Sequence, residues 1–249
     1  MYEADNAPLQ VREDWPVVQP EDLKSGEVLV RMACWLCGCH RCKHELKVGD
    51  AVGVKWLAHT CLGCEDCRKG YETTCGEAGL TCHGSFQQWC VSFADHVTPI
   101  PEGLDLASAA PILCAGVTVY KALKQIGGSP GEVVAIDTGD DKRKLIESYG
   151  IKDFIDFKEG NVIEQVRAAT GGRGAHATIV VAGSRDAYKD PLMFLRPRST
   201  LVAVGVPKDA AVVAPVEPLT PLEFRIVGSY VGSRQDAVEA IDLAADGQV

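Results

Sequence analysis

Cys61-Leu-Gly-Cys64-Glu-Asp-Cys67, followed after seven residues by Cys75, brings four thiols into fifteen positions. Two-residue gaps let consecutive thiolates converge on one tetrahedral ion, and the longer gap carries the fourth ligand round a turn. The expected metal is zinc. With all four positions filled by sulfur, such a site holds a loop together and leaves no opening for chemistry. Gly63 and Gly70 are the expected sources of tight backbone in that loop. Free thiols or disulfides on a polar loop are the competing readings.

A second cluster precedes it. Cys34-x2-Cys37 and Cys39-x2-Cys42 form two adjacent pairs, with His40, His44 and Glu45 among them. These residues can close another four-sulfur site. They can also supply part of a mixed sulfur and imidazole site whose open position admits a substrate. Surplus thiols without metal are a third reading. All eleven cysteines fall at or before Cys114. In a reducing compartment such clustering points to metal or catalysis and away from disulfides.

The elements that must position these groups change character along the chain. Gly26–Met32 alternates as a half-buried strand does, Lys47–Lys55 reads as a turn leading into a strand, and Phe86–Val97 as a strand pair. Beyond them helix and strand alternate. Val117–Gln125 reads as helix, Glu132–Ile136 as a buried parallel strand, Lys142–Tyr149 as helix and Phe154–Asp156 as strand. Val162–Ala169 as helix, Ala177–Ala182 as strand, Asp186–Leu195 as helix and Thr200–Val204 as strand complete the pattern, with Ala210–Pro221 as an extended connector. The expected class is α/β, a β-rich unit over residues 1–116 and an incomplete parallel α/β sheet over 117–249.

Bulk properties narrow the function classes. Hydrophobic residues make up 46% of the chain and charged residues 24%, as in ordinary globular proteins. A net charge of -9 disfavours nucleic-acid binding, which needs a basic face. No uninterrupted run of apolar residues is long enough to suggest a membrane span, and the acidic Met1–Asp5 does not read as a secretory signal. A cytoplasmic location is expected.

Longer motifs carry a family resemblance. Arg12-Glu-Asp-Trp-Pro16, Gly53-Val-Lys-Trp56, Pro111-Ile-Leu-Cys114-Ala-Gly-Val-Thr-Val-Tyr120-Lys and Gly228-Ser-Tyr-Val-Gly-Ser-Arg234-Gln-Asp236 resemble zinc-dependent alcohol dehydrogenases of the medium-chain superfamily. The likeness is greatest to the tetrameric yeast and fungal type. It implies a GroES-like catalytic domain before a Rossmann domain, hydride transfer from a primary or secondary alcohol to NAD, a small alcohol or aldehyde substrate, and a homo-oligomer. It also implies a catalytic zinc on Cys39, His44 and Cys114, with His40 and Glu45 beside it, and Asp137, Lys142 and Arg234 toward the cofactor. Trp56 falls where the family lines its substrate pocket.

The sequence departs from that pattern in two internal places. Only four residues separate Cys39 from His44, where the family has a longer segment, and Arg41 follows His40 where the family carries a small hydroxyl residue. Pro130-Gly-Glu-Val-Val-Ala-Ile136 then runs straight into Asp137-Thr-Gly-Asp-Asp-Lys142. The glycine-rich turn, helix and strand expected between them are absent, and with them the amides that cradle pyrophosphate. Gly172-Arg-Gly174-Ala-His-Ala177 fits the glycine pattern but follows a helix and leads into a strand, the reverse of the required context. The family also continues past the position of Val249, so the chain reads as one with skipped or degraded segments. Such a chain has an alternative role as a zinc-stabilised partner of complete subunits.

Overall fold

The computed structural model describes residues 18–32, 37–40, 46–80, 87–127 and 131–248, with residues 37–40 and Leu80 as backbone alone. His44, Glu45 and the Arg12–Pro16 motif lie outside the described residues.

The first half is built on strands β1 (Glu27–Met32), β2 (Cys37–His40), β3 (Ala51–Gly53), β4 (Leu57–His59), β5 (Gly79–Leu80), β6 (Trp89–Phe93) and β7 (Thr98–Pro99). Five of them form one antiparallel sheet in the order β6-β1-β2-β3-β7, and β4 and β5 form a separate pair. The alternation expected of β1 gives way to three buried residues in a row, Val28, Leu29 and Val30. β1 is an inner strand whose backbone pairs with β6 and β2; Val28 and Val30 face the sheet core, and Leu29 is buried as well. Val28, Val30, Val52, Cys90, Ala94 and Val97 make the core of this sheet.

A helical column follows: α2 (Leu106–Pro111), one π-type turn at Ile112–Gly116, and α3 (Val117–Gln125). The sequence reading recovered α3 alone. Pro111 ends α2, the π-type turn starts at the next residue, and the column continues through Gly116 into α3. By length and composition this column is apolar enough to cross a membrane. Its Ala109, Leu113 and Val117 instead pack with Ile100, Ala237 and Ile241 in a core cluster.

The second half contains β8 (Val134–Asp137), α4 (Asp140–Ser148), β9 (Asp153–Asp156), α5 (Val162–Ala169), β10 (Ala175–Val180), β11 (Leu195–Ala203), α6 (Val216–Leu219), β12 (Arg225–Gly228) and α7 (Arg234–Ala245). The helix expected at Asp186–Leu195 is two short 3-10 turns, because Pro191 interrupts it. α6 occupies part of the expected connector. Asn161 caps α5 by accepting the N–H of Ile163, and Gly171 and Gly172 end it at φ 63° and 78°.

All pairings here are parallel, but they form two sheets among the described residues: β8 with β9, and β10-β11-β12. A Rossmann sheet has the strand order 3-2-1-4-5-6. Taking β8 and β9 as strands 2 and 3, and β10 to β12 as strands 4 to 6, the division falls where strand 1 would lie. The expected strand Glu132–Ile136, observed from Val134 as β8, is therefore not deeply buried: Ile136 is exposed, as is Val133 just before the strand. α7 packs on the Ile112–Gly116 turn and α3.

Candidate functional site

The cysteine loop is assembled by local backbone. After β4, Leu62 takes a left-handed conformation (φ 55°) that turns the chain, and Gly70 a second at φ 81°. Gly63 has no positive φ, so the turn expected of it falls to Leu62. Cys64 caps α1 (Glu65–Arg68), its Sγ accepting the N–H of Cys67 at 3.5 Å. Cys61 Sγ accepts the N–H of Cys64 at 3.2 Å, and Cys75 Sγ that of Glu77 at 3.4 Å. Three of the four sulfurs are thus aimed by an amide before any ion arrives.

The four Sγ atoms all lie within 4.8 Å of one another. Cys75 Sγ stands 3.6 Å and Cys67 Sγ 3.9 Å from Cys61 Sγ. Tetrahedral zinc with Zn–S near 2.3 Å needs sulfurs about 3.8 Å apart, so this set fits zinc. Among the described residues it is the one cluster with metal-ligand geometry. Backbone N–H groups of Gly63 and Cys64 bring the Cys61 thiol down to about 7. Burial pushes Cys67 up to about 12. A bound zinc overrides that difference, since a coordinating thiol is deprotonated outright.

Beneath the loop lies a buried polar chain. His96 has its Nδ1 2.8 Å from Asp95 Oδ1 and its Nε2 3.0 Å from Thr60 Oγ1. Burial lowers the His96 pKa, against the upward pull of Asp95, and keeps the ring neutral. Its carbonyl accepts a hydrogen bond from Lys55 Nζ, and Thr98 Oγ1 lies 3.4 Å from the same nitrogen. Burial lowers the Lys55 pKa to about 8.

Cys114, the third expected ligand of a catalytic zinc, lies in the π-type turn and is exposed. It lines a pocket of about 200 Å³ together with Trp56, Leu57, Leu113, Val117 and Tyr230. Trp56 Nε1 donates to Tyr230 Oη at 3.1 Å across that pocket. Cys39 and His40 contribute their backbone to β2, in register with Val30 and Leu29 of β1. Side chains of Cys34, Cys37, Cys39 and Cys42, like His44 and Glu45, lie outside the described residues, so neither site expected of them is drawn together here.

On the cofactor side, Asp137 ends β8 and accepts Lys142 Nζ at 2.6 Å. It also accepts its neighbour Thr138 N–H at 2.8 Å. The turn into α4 passes through Gly139 at φ 100°. Asp156 Oδ2 takes the Gly139 N–H and the Thr138 hydroxyl, both at 3.0 Å. The N–H groups of Lys158 and Gly139 hold the Asp156 carboxyl below the usual carboxylate range. Asp140 and Asp141 fill the first turn of α4. This turn satisfies its amide internally and presents carboxylates, so it does not fit the pyrophosphate of NAD. Arg234 is placed elsewhere: its Nε and backbone N donate to Glu72 at 2.9 Å and its Nη1 to the Asp95 carbonyl at 3.0 Å.

The sequence reading missed α7 and Glu72. Ser233 and Asp236 form a capping box, a signal legible in Ser-x-x-Asp. Nothing local marks Glu72, whose partner lies 162 residues away.

Residues 38–102 match the alcohol dehydrogenase GroES-like domain family and residues 115–246 the zinc-binding dehydrogenase family. The chain is 40% identical to an alcohol dehydrogenase of Schizosaccharomyces pombe, with 95% of this chain and 75% of that protein matched. That alignment spans 269 positions, more than the 249 residues of this chain, so the relative carries residues that this chain lacks within the matched span. Alcohol dehydrogenase 1 of Emericella nidulans is 41% identical over 83% of this chain and 67% of that protein. In fold the chain resembles the alcohol dehydrogenase of Aeropyrum pernix, with a TM-score of 0.83 at 22% identity over 98% of this chain and 88% of that one. A GroES-like unit, a Rossmann-type parallel arrangement and a four-cysteine zinc loop in one chain, with fungal relatives near 40% identity, make this protein a member of the zinc-type alcohol dehydrogenases, oxidoreductases of the medium-chain superfamily that use zinc and NAD.

Proposed function

We propose that this chain handles a small primary or secondary alcohol, or the matching aldehyde or ketone, at the pocket between Trp56, Cys114 and Tyr230. Cys114 carries the reading, because the one expected catalytic ligand among the described side chains opens onto an apolar-walled pocket. Cys39, His44 and Cys114 would hold the catalytic zinc, with His40 and Glu45 adjacent. Such a zinc supplies Lewis-acid polarisation of an alcohol oxygen. Leu57, Leu113 and Val117 would seat the carbon chain and exclude water, and the Trp56–Tyr230 hydrogen bond would fix the rim. Residues 1–116 would form the catalytic unit and residues 117–249 the cofactor unit, with Asp137 and Lys142 on the cofactor side, while Arg234 is held by Glu72 and the Asp95 carbonyl. The working form would be a cytoplasmic homo-oligomer.

Metal analysis tests this directly. Two zinc ions per chain, falling to one in Cys114→Ala, is the expected result. One zinc per chain, unaffected by Cys114→Ala, overturns it.

A second reading is favoured by the Asp156–Gly139 hydrogen bond and the divided sheet: a zinc-stabilised partner of complete subunits with no turnover of its own. Co-purification with a full-length fungal-type subunit, combined with no alcohol-dependent NAD reduction by the chain alone, separates it from the first.

A further inference from the structure

One wall of the Cys114 pocket is the segment Tyr230–Gly232, which leads into α7. Two contacts tie that segment to the zinc loop. Glu72, 7% exposed, accepts both the backbone N and the Nε of Arg234 at 2.9 Å. Its neighbour Thr73 accepts Lys121 Nζ at 2.9 Å, and the same ammonium donates to the Tyr230 carbonyl at 3.1 Å. Glu72 and Thr73 sit in a single 3-10 turn, Glu72–Thr74, that runs directly into the zinc ligand Cys75.

We propose that Glu72 and Thr73 are positioning residues that couple the state of the cysteine loop to the pocket wall, so that zinc at Cys61, Cys64, Cys67 and Cys75 sets the geometry around Cys114. The physical chain is short. Zinc fixes Cys75, Cys75 fixes the turn before it, and the turn presents one carboxylate and one hydroxyl to the two cations flanking the wall. Glu72 is buried and its charge is matched by Arg234, so displacing the turn strands a buried carboxylate and cannot happen silently. Val117 and Gly232 are in close contact on the other side: a Cβ on Gly232 would come within 2.3 Å of Val117 Cγ2. The wall therefore has little freedom to move toward α3, and relaxation takes it outward, enlarging the pocket.

The coupling concerns the chain's own shape and is measured without turnover. Amide hydrogen exchange is followed by mass spectrometry in the full chain, zinc-loaded and zinc-stripped, for wild type and for the double variant Glu72→Gln/Thr73→Val. In wild type, stripping zinc should raise exchange of the Tyr230–Asp236 segment about tenfold or more, with β8–β9 unchanged. In the double variant that segment should already exchange fast with zinc bound, and stripping should add nothing further, while residues 61–75 still open. Such non-additivity is the signature of a shared pathway. An equal, additive effect of stripping in both proteins overturns the proposal, as does a rise of the same size across every segment.

Discussion

Asp156 Oδ2 accepts the backbone N–H of Gly139 at 3.0 Å, closing the turn between β8 and α4 from within. In a dinucleotide site the pyrophosphate rests on amides of the glycine-rich turn after the first strand, which this chain lacks, and the Gly139 amide, already bound to Asp156, does not replace them. Hydrogen bonds to charged groups contribute about 1.5–3 kcal/mol each, so lacking even two of them weakens NAD binding by roughly a hundredfold or more. NADH fluorescence titration should show no saturation below about a millimolar, against the micromolar to millimolar constants usual for enzyme ligands. Saturation in the low micromolar range would mean that the cradle forms by another route.

The zinc loop should behave as a separable staple. Cys67→Ser should abolish binding of one zinc and lower the unfolding midpoint, whereas Cys90→Ser, in the sheet core, should keep the metal. Inductively coupled plasma analysis beside thermal melts reads both. Zinc uptake should release protons, because the buried Cys67 thiol is neutral in the metal-free loop.

Lys55 gives the molecule a stability profile that rises in mild alkali. Its folded pKa, about 8, lies below the ordinary 10.5 because burial penalises the charge. Between those values the unfolded chain binds the proton and the folded chain does not, so stability increases with pH across that window. The full gain, on the order of 3 kcal/mol, is reached above the unfolded value and is absent below pH 8. Urea midpoints from pH 7 to 10.5 should rise in wild type and flatten in Lys55→Met. Parallel profiles for the two proteins would assign the dependence to another group.

Ser233 caps α7 and shares Asp236 with Lys124, whose Nζ lies 2.9 Å from Asp236 Oδ1. Ser233→Ala should destabilise by about 1–2 kcal/mol, read from urea midpoints. Because α7 closes the cluster around Leu113 and Val117, the loss should also appear as faster exchange in α3.

Gly174→Ala should be among the least tolerated small changes in the chain. Its φ of 88° disfavours any side chain, and a Cβ would meet the Phe194 carbonyl oxygen at 2.8 Å. Both faults push β10 away from β11, and loss of soluble, folded protein on expression is the expected outcome.

The zinc site was legible in sequence because it is local: four ligands and their turns occupy one short stretch, and sulfur spacing alone determines convergence. The family motifs were legible for the same reason. Helix α5 matches its expected span Val162–Ala169, closed by Gly171-Gly172, and the structure adds the Asn161 cap. What escaped depends on distant partners. No periodicity reveals that Arg234 turns to Glu72, or that Pro111 sits inside a continuous column. The loss of the glycine turn was readable as a gap, but its consequence, a sheet parted into two, needed the register of β8 against β9.

That parting leaves two strand edges, one on β8 and one on β10, without ladder partners among the described residues. A row of free N–H and C=O groups is a template for any extended chain that meets it. Val133 and Ile136 lie exposed beside the first and Val181 beside the second, and neither edge carries the lysines that usually discourage pairing. At high concentration the molecule should therefore self-associate by strand addition at the seam in its sheet.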